Sequence, residues 1–153
     1  MKAGTGTASI EINGLVVGAI VAVNALGDVV DPYTGTKVAG LRHGTTLDWM
    51  KNSGAPSAGQ SNTVIGAVAT NAKLNKAQAT KVAQMAQDGV ARAIRPAHTM
   101  FDGDTIFALA TGEVDADIST VGAFAAEVMA EAIVRAAQMA QSAGGLPGLK
   151  QQN

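Results

Sequence analysis

Residues 8–12 alternate apolar and polar positions and run into Asn13-Gly14, a dipeptide that favours the type I′ turn of a β-hairpin. The return arm, residues 15–24 (LVVGAIVAVN), is almost continuously apolar and reads as a strand buried on both faces. Residues 25–28 (ALGD) read as a second turn, and Val29-Val30 as a short strand closed by Pro32. From Tyr33 to Asn62 no period is sustained. Gly35, Gly40, Gly44, Gly54, Pro56 and Gly59 punctuate this stretch, with room for a short helix over residues 46–51 and a small, polar segment, 52–62, that reads as a mobile linker. A loop of this length in a compact domain is uncommon and often functional.

Regular patterning resumes at residues 63–70 (TVIGAVAT), a short buried strand. Asn75 followed by Gln78 has the spacing of a capping box. Behind it Ala79, Val82, Ala83, Ala86, Val90, Ala93 and Ile94 recur on one helical face, and Pro96 stops that helix. Residues 105–111 (TIFALAT) form another strand. Residues 118–140 form a second helix, with Val121, Phe124, Ala125, Val128, Ala132, Ile133 and Ala136 inward. The tail, 144–153, carries Pro147 and a Gln-Gln-Asn end and is expected to fray. No internal repeat is visible. The order β-hairpin, loop, β-α-β-α predicts an α+β sheet with both helices on one face. Strands this apolar need cover on the other face too, from a second sheet, another subunit or a further segment.

Composition narrows the chemistry. The 153 residues are 47% hydrophobic but only 3% aromatic, so the core must be built from Ala, Val, Ile, Leu and Met. A formal net charge of −1 lacks the basic footprint of a nucleic-acid binder. The absence of Cys excludes disulfides, thiolate zinc sites and a cysteine nucleophile. The longest apolar run is too short to span a bilayer, and Met1-Lys2 runs straight into small residues instead of a secretory leader, so a cytoplasmic location is expected. Gly4-Thr5-Gly6 is too short for a phosphate loop. No cofactor and no metal are expected. His43 and His98 have no partner pattern and read as satisfied or surface histidines. Tyr33 and Trp49 lie in the long loop, where they either line a pocket or anchor it.

One position combines the features of an activated nucleophile. A Thr hydroxyl is weak at neutral pH but becomes effective beside a base, and the residue's own α-amine can serve once the preceding peptide bond is cut. That amine has a pKa of roughly 7.7–8.0, near working pH. The requirement is a Thr at the start of a buried strand, preceded by a loop that can be cut, and Asn62-Thr63 meets it. Spacing alone leaves open that Thr63 merely opens a strand, that Asn24 is a turn residue, and that Asp102 and Asp104 are loop acids.

The stretch SNTVIGAVATNAKLNKAQATKVAQMAQDGVARAIRPAHTMFDGDTIFALATGEV resembles the core signature of the L-aminopeptidase/D-esterase family, which includes the nylon-oligomer (6-aminohexanoate-oligomer) hydrolases. Its most specific pieces are Asn62-Thr63, the ATNA turn, the ARAIRP helix end and HTMFDGDTIFALATGE, and GLVVGAIVAVNALGDVVDP resembles the family's preceding hairpin. The resemblance runs from about Gly4 to about Gln141. It implies a layered αββα-type sandwich of the self-processing N-terminal-nucleophile hydrolase kind, of which this chain supplies roughly the C-terminal half. Residues 1–62 would be the end of the family's α-subunit region and 63–153 its β-subunit region. Thr63 matches the residue that cuts its own upstream peptide bond and then acts as nucleophile, and Asn62 the residue left as the new C-terminus. Asn24 matches an asparagine that helps hold the oxyanion, and Asp102 and Asp104 the paired acids of the DGD motif behind the nucleophile. The implied substrate is a small peptide, an amino-acid amide or an aminoalkanoate oligomer.

Two departures qualify the match. The family carries a large N-terminal region with a lysine used in catalysis and, in some members, a tyrosine for the oxyanion; Lys2 lies too close to the first strand to match that lysine. The chain is therefore expected to pair with an N-terminal half, to form a homo-oligomer, or to be a truncated form. Gln87 stands where relatives often have His, on what reads as the polar side of its helix. Two other functions stay open: an acyltransferase of the ornithine acetyltransferase type, and a non-catalytic fragment that needs an N-terminal partner.

Overall fold

The structure is a computed structural model that describes residues 3–53 and 62–150. Strand β1 (Thr5–Ile12) turns at Asn13-Gly14 into β2 (Leu15–Asn24), and both turn residues have positive φ, as the type I′ expectation requires. Two short strands, β3 (Asp28–Val30) and β4 (Lys37–Ala39), follow, then helix α1 (Thr46–Ser53). Strand β5 (Thr63–Ala72) leads to α2 (Lys76–Ala93), β6 (Ile94–Arg95), β7 (Thr105–Val114) and α3 (Ile118–Gln138). The main sheet has the order β1-β2-β5-β7, with β5 and β7 parallel and the other pairs antiparallel. A smaller sheet, β4-β3-β6, lies beside it.

The helices form where the pattern predicts. Asn75 and Gln78 complete a reciprocal capping box at the start of α2. Arg95 precedes Pro96 and so cannot easily stay helical; the chain leaves the helix there and pairs Ile94-Arg95 with β3. Asp117 caps α3, its carboxylate accepting the Thr120 N–H at 2.8 Å, and this bond holds the carboxyl below the usual carboxylate range. Both helices pack on one face of the main sheet, α3 over β1 and β2 and α2 over β7, and they pack on each other. Small residues permit the close approach: a Cβ on Gly6 would strike the Ala132 carbonyl of α3, and one on Gly89 the Ala126 carbonyl. The core between them holds Val17, Val21, Val64, Val68, Val82, Val90, Met129 and Ile133, all essentially inaccessible.

Four expectations need correction. Strand β2 is not buried on both faces: its burial alternates, and Val16 and Ile20 are open to solvent. The continuous apolar run signals a strand that wants two covers, and the described residues supply one. The long irregular stretch contains β4, which was not expected, and Asp28 is a strand residue rather than part of a turn. The Asp28 side chain is buried and organises that region, accepting Leu41 N–H at 3.0 Å and Thr46 N–H at 2.6 Å, the latter at the start of α1. The tail does not fray up to Lys150: it turns back on the end of α3, with the Lys150 N–H donating to the Ala140 carbonyl at 3.0 Å. Most of the segment read as a linker, residues 54–61, lies outside the described residues, as do 151–153. Among the described residues no helix is long and apolar enough to cross a membrane.

Candidate active site

The face of the main sheet that the described residues leave open is defined by register. Thr63, Ile65, Ala67 and Ala69 of β5 stand opposite Asn24, Ala22, Ile20 and Gly18 of β2, and Ile65, Ala67 and Ala69 opposite Thr105, Phe107 and Leu109 of β7. Partners in a ladder share a face. This face therefore presents Val16, Ile20, Ile65, Phe107 and Leu109 to solvent, each between 39% and 57% exposed. At one end of it Asn24 and Thr63, separated by the whole irregular stretch, are a direct cross-strand pair. They share a shallow cavity of about 370 Å³ with Gly4, Thr5, Ala22, Val23 and Ile65. Behind Asn24 a second cavity of about 410 Å³ opens between the ends of β2, β3 and β4, lined by Leu26, Val29, Ala39 and Leu41 among others.

The Asn62–Thr63 peptide bond is held from several sides. The Thr63 hydroxyl donates to the Asn62 carbonyl oxygen at 2.6 Å. The same oxygen accepts the Gly103 N–H at 2.9 Å, and the Asn62 N–H donates to the Phe101 carbonyl at 3.2 Å. Asn62 thus forms a parallel bridge with Asp102. Gly103 has no side chain to intrude: a Cβ there would lie 3.1 Å from Thr63 Oγ1, tighter than side chains normally tolerate. A hydroxyl and a backbone N–H therefore converge on the carbonyl oxygen of the peptide bond that precedes Thr63, and both polarise that carbonyl.

The two acids of the DGD motif are not equivalent. Asp104 has a side chain only 5% exposed, and its Oδ1 accepts the Val64 N–H at 2.9 Å, one residue past Thr63. Its Oδ2 lies 3.1 Å from His98 Nδ1. Asp102 turns away from Thr63 and caps its own loop: Oδ2 accepts the Thr99 N–H at 2.9 Å and the Thr99 hydroxyl at 2.7 Å. Asn62, Thr63, Asn24 and Asp104 are therefore gathered at one place, whereas the Asp102 carboxylate reaches it only through the loop backbone.

Three residues at this place escaped the sequence reading. Gly103 reads as a spacer between two acids, and backbone donors leave no compositional trace. His98 does have a partner, Asp104, which the turn at Thr99–Asp102 brings back toward it. Gln87 is not an indifferent polar-side residue: it is half-buried, its Nε2 donates to the Asp104 carbonyl at 3.5 Å, and its Oε1 is buried without a hydrogen-bond partner. Tyr33 is 77% exposed and its hydroxyl donates to Glu127 on α3, so it anchors its turn to that helix.

Comparison with known proteins places this geometry. The model of peptidase family S58 matches residues 1–151. An uncharacterised aminopeptidase of Mycobacterium leprae (strain TN) is 41% identical over 182 residues, covering 96% of this chain and 47% of the relative. A 6-aminohexanoate-oligomer endohydrolase of Paenarthrobacter ureafaciens is 29% identical over 156 residues, covering 87% of this chain and 44% of its own length. The chain spans about half the length of these curated relatives. Among solved structures, the L-aminopeptidase D-Ala-esterase/amidase of Ochrobactrum anthropi, described as a variant of the Ntn-hydrolase fold, superposes with a TM-score of 0.65 at 24% identity, over 95% of this chain and 43% of that one. The α+β architecture is thus that of an Ntn-hydrolase-type sandwich, of which the described residues form one sheet and its helical layer.

Proposed function

This chain belongs to peptidase family S58, and from that premise we propose that it forms part of a self-cleaving amide hydrolase whose nucleophile is Thr63. The observation that carries the reading is the Asn62 carbonyl oxygen, contacted by the Thr63 hydroxyl at 2.6 Å and by the Gly103 N–H at 2.9 Å.

The chemistry has two stages. In the first, Thr63 Oγ attacks the Asn62 carbonyl carbon and gives up its proton, and the oxyanion that forms gains from the Gly103 N–H. The C–N bond breaks, the Thr63 nitrogen takes the proton, and an ester joins Asn62 to the Thr63 oxygen. Water then hydrolyses the ester, leaving a carboxylate on Asn62 and a free α-amine and hydroxyl on Thr63. In the second stage that amine, with a pKa of roughly 7.7–8.0, acts as base for its own hydroxyl, which attacks the substrate amide. Asn24, its cross-strand neighbour, donates its side-chain amide to the substrate oxyanion. Water resolves the acyl-enzyme. Asp104 anchors Val64 and so keeps Thr63 in line; Asp102 contributes by shaping the loop that carries Gly103.

The substrate class is a small peptide, an amino-acid amide or an aminoalkanoate oligomer; the aminopeptidase and the 6-aminohexanoate-oligomer endohydrolase among the relatives support these classes. The apolar outer face supports a partner there, either the upstream half of the family fold or a second copy of the chain, because contiguous apolar patches seldom stay open. In this scheme residues 1–62 end the α-subunit and 63–153 form the β-subunit.

The test is a mass spectrum of the chain incubated with the upstream half, beside an amidase assay. Fragments 1–62 and 63–153 with concurrent amide hydrolysis are expected. A new N-terminus anywhere other than Thr63 would show that the nucleophile is misassigned. Acetyl transfer from N-acetylornithine to glutamate in place of hydrolysis would favour the acyltransferase alternative.

A further inference from the structure

His98 sits on left-handed backbone, with φ of 55°. Few residues other than Gly, Asn, Asp and His adopt this conformation, so the surroundings must hold it. Both ring nitrogens face acceptors: Nδ1 lies 3.1 Å from Asp104 Oδ2 and Nε2 lies 3.3 Å from the Gln87 carbonyl oxygen of α2. A ring carrying both protons makes both bonds, whereas a ring with one proton makes one. The imidazole thus ties the loop before β7 to α2, and the Gln87 side chain strengthens the tie through the Asp104 carbonyl.

The consequence reaches Thr63 through Asp104. A nearly covered carboxylate costs free energy unless each oxygen has a donor. Oδ1 is served by the Val64 N–H and Oδ2 by His98. Without the imidazole, Oδ2 loses its protein donor, and nothing on that side then fixes the direction in which Oδ1 holds the Val64 N–H. Val64 is bonded to Thr63, so the aim of the hydroxyl shifts with it.

We infer that His98 is a positioning residue for the Thr63 chemistry, acting through Asp104 to fix the backbone at Val64. The inference rests on the reading of Thr63 as nucleophile. His98 need touch neither substrate nor the scissile bond, and its effect belongs to alignment, where a displacement of about 1 Å can cost about 10²-fold in rate.

The test uses His98→Gly and His98→Asn, since both residues accept the left-handed backbone and the loop need not distort. Circular dichroism checks that each variant is folded. Amide hydrolysis is measured on the chain assembled with its upstream half. A kcat about 10- to 100-fold lower with KM little changed is expected, because alignment and not binding is lost. Added imidazole should restore the His98→Gly enzyme. Thiazole, of similar size but with no N–H to donate, should not. Unchanged kcat, equal rescue by both compounds, or rescue by neither in a folded variant overturns the inference. The Thr63 reading fails separately, by an inactive native assembly or by Thr63→Ala retaining full turnover, and it then takes this inference with it.

Discussion

The two faces of the four-stranded sheet are built from similar residues and meet opposite fates. The inner face, with Val17, Val21, Val64 and Val68, is sealed under α2 and α3 by small residues that let backbone approach backbone. The outer face, with Val16, Ile20, Ile65, Phe107 and Leu109, has no cover from the described residues. Burial therefore separates two functions of apolar surface. On the inner face it stabilises this chain. On the outer face the described residues leave it open, and the candidate site lies at the rim of that open surface, where Thr63 and Asn24 face each other. In the proposed reading, the site at this rim becomes a closed pocket only when a second body covers the outer face.

Perturbing the outer rim should give the largest effects. Thr63→Ala is expected to abolish both self-cleavage and amide turnover in the assembled enzyme, and Thr63→Ser to retain part of each; electrophoresis and an amidase assay read the two. Asn24→Ala should leave the fold intact and lower kcat by about 10²–10³, the usual cost of one oxyanion donor. If kcat is unchanged, the cross-strand pair is only structural.

On the inner face the loss should appear as stability. Met129 is fully buried beneath Gly66 and Gly89, and Met129→Ala should destabilise the chain by about 2–5 kcal/mol in denaturant unfolding. The outer counterpart, Phe107→Ser with Leu109→Ser, should change the stability of the chain alone by about 0.5 kcal/mol or less per site. It should weaken association with the upstream half, read by sedimentation. Equal destabilisation from both faces would remove the contrast.

The smallest effect concerns Asp117. Its carboxyl is held below its ordinary range by the Thr120 N–H, so its contribution is present above the unfolded value of about 3.9 and is lost as pH falls through the lower folded value. Asp117→Asn keeps the cap but cannot titrate. The melting temperatures of the two proteins should differ slightly at neutral pH and converge in acid.

How far the chain could be read depended on where the information lies. Periodicity located β5, α2, β7 and α3 within a few residues, because each strong pattern ends at a strong breaker such as Pro96 or the Asn75 cap. It failed for β4, whose three residues are too few to show a period, and for the outer face of β2, because apolar content cannot say which chain supplies the cover. At the site, Asn62, Thr63, Asn24 and the DGD acids were visible through resemblance. Their convergence was expected from the roles that the resemblance implies and not from periodicity, since the Asn24–Thr63 register follows from long-range strand pairing. His98 was discounted because its partner follows six residues later, beyond a turn that only the folded loop reveals.

The position of β2 and β5 side by side has a consequence for what a cut at Thr63 would release. The chain before the cut contributes β1 and β2, and the chain after it contributes β5 and β7, yet Val17 through Asn24 remain laddered to Thr70 through Thr63 in the middle of the sheet. The nick would fall at a seam that the ladder itself stitches. The two products would travel as one particle under native conditions and part only in denaturant, so processing would change the number of chain ends without changing the number of molecules.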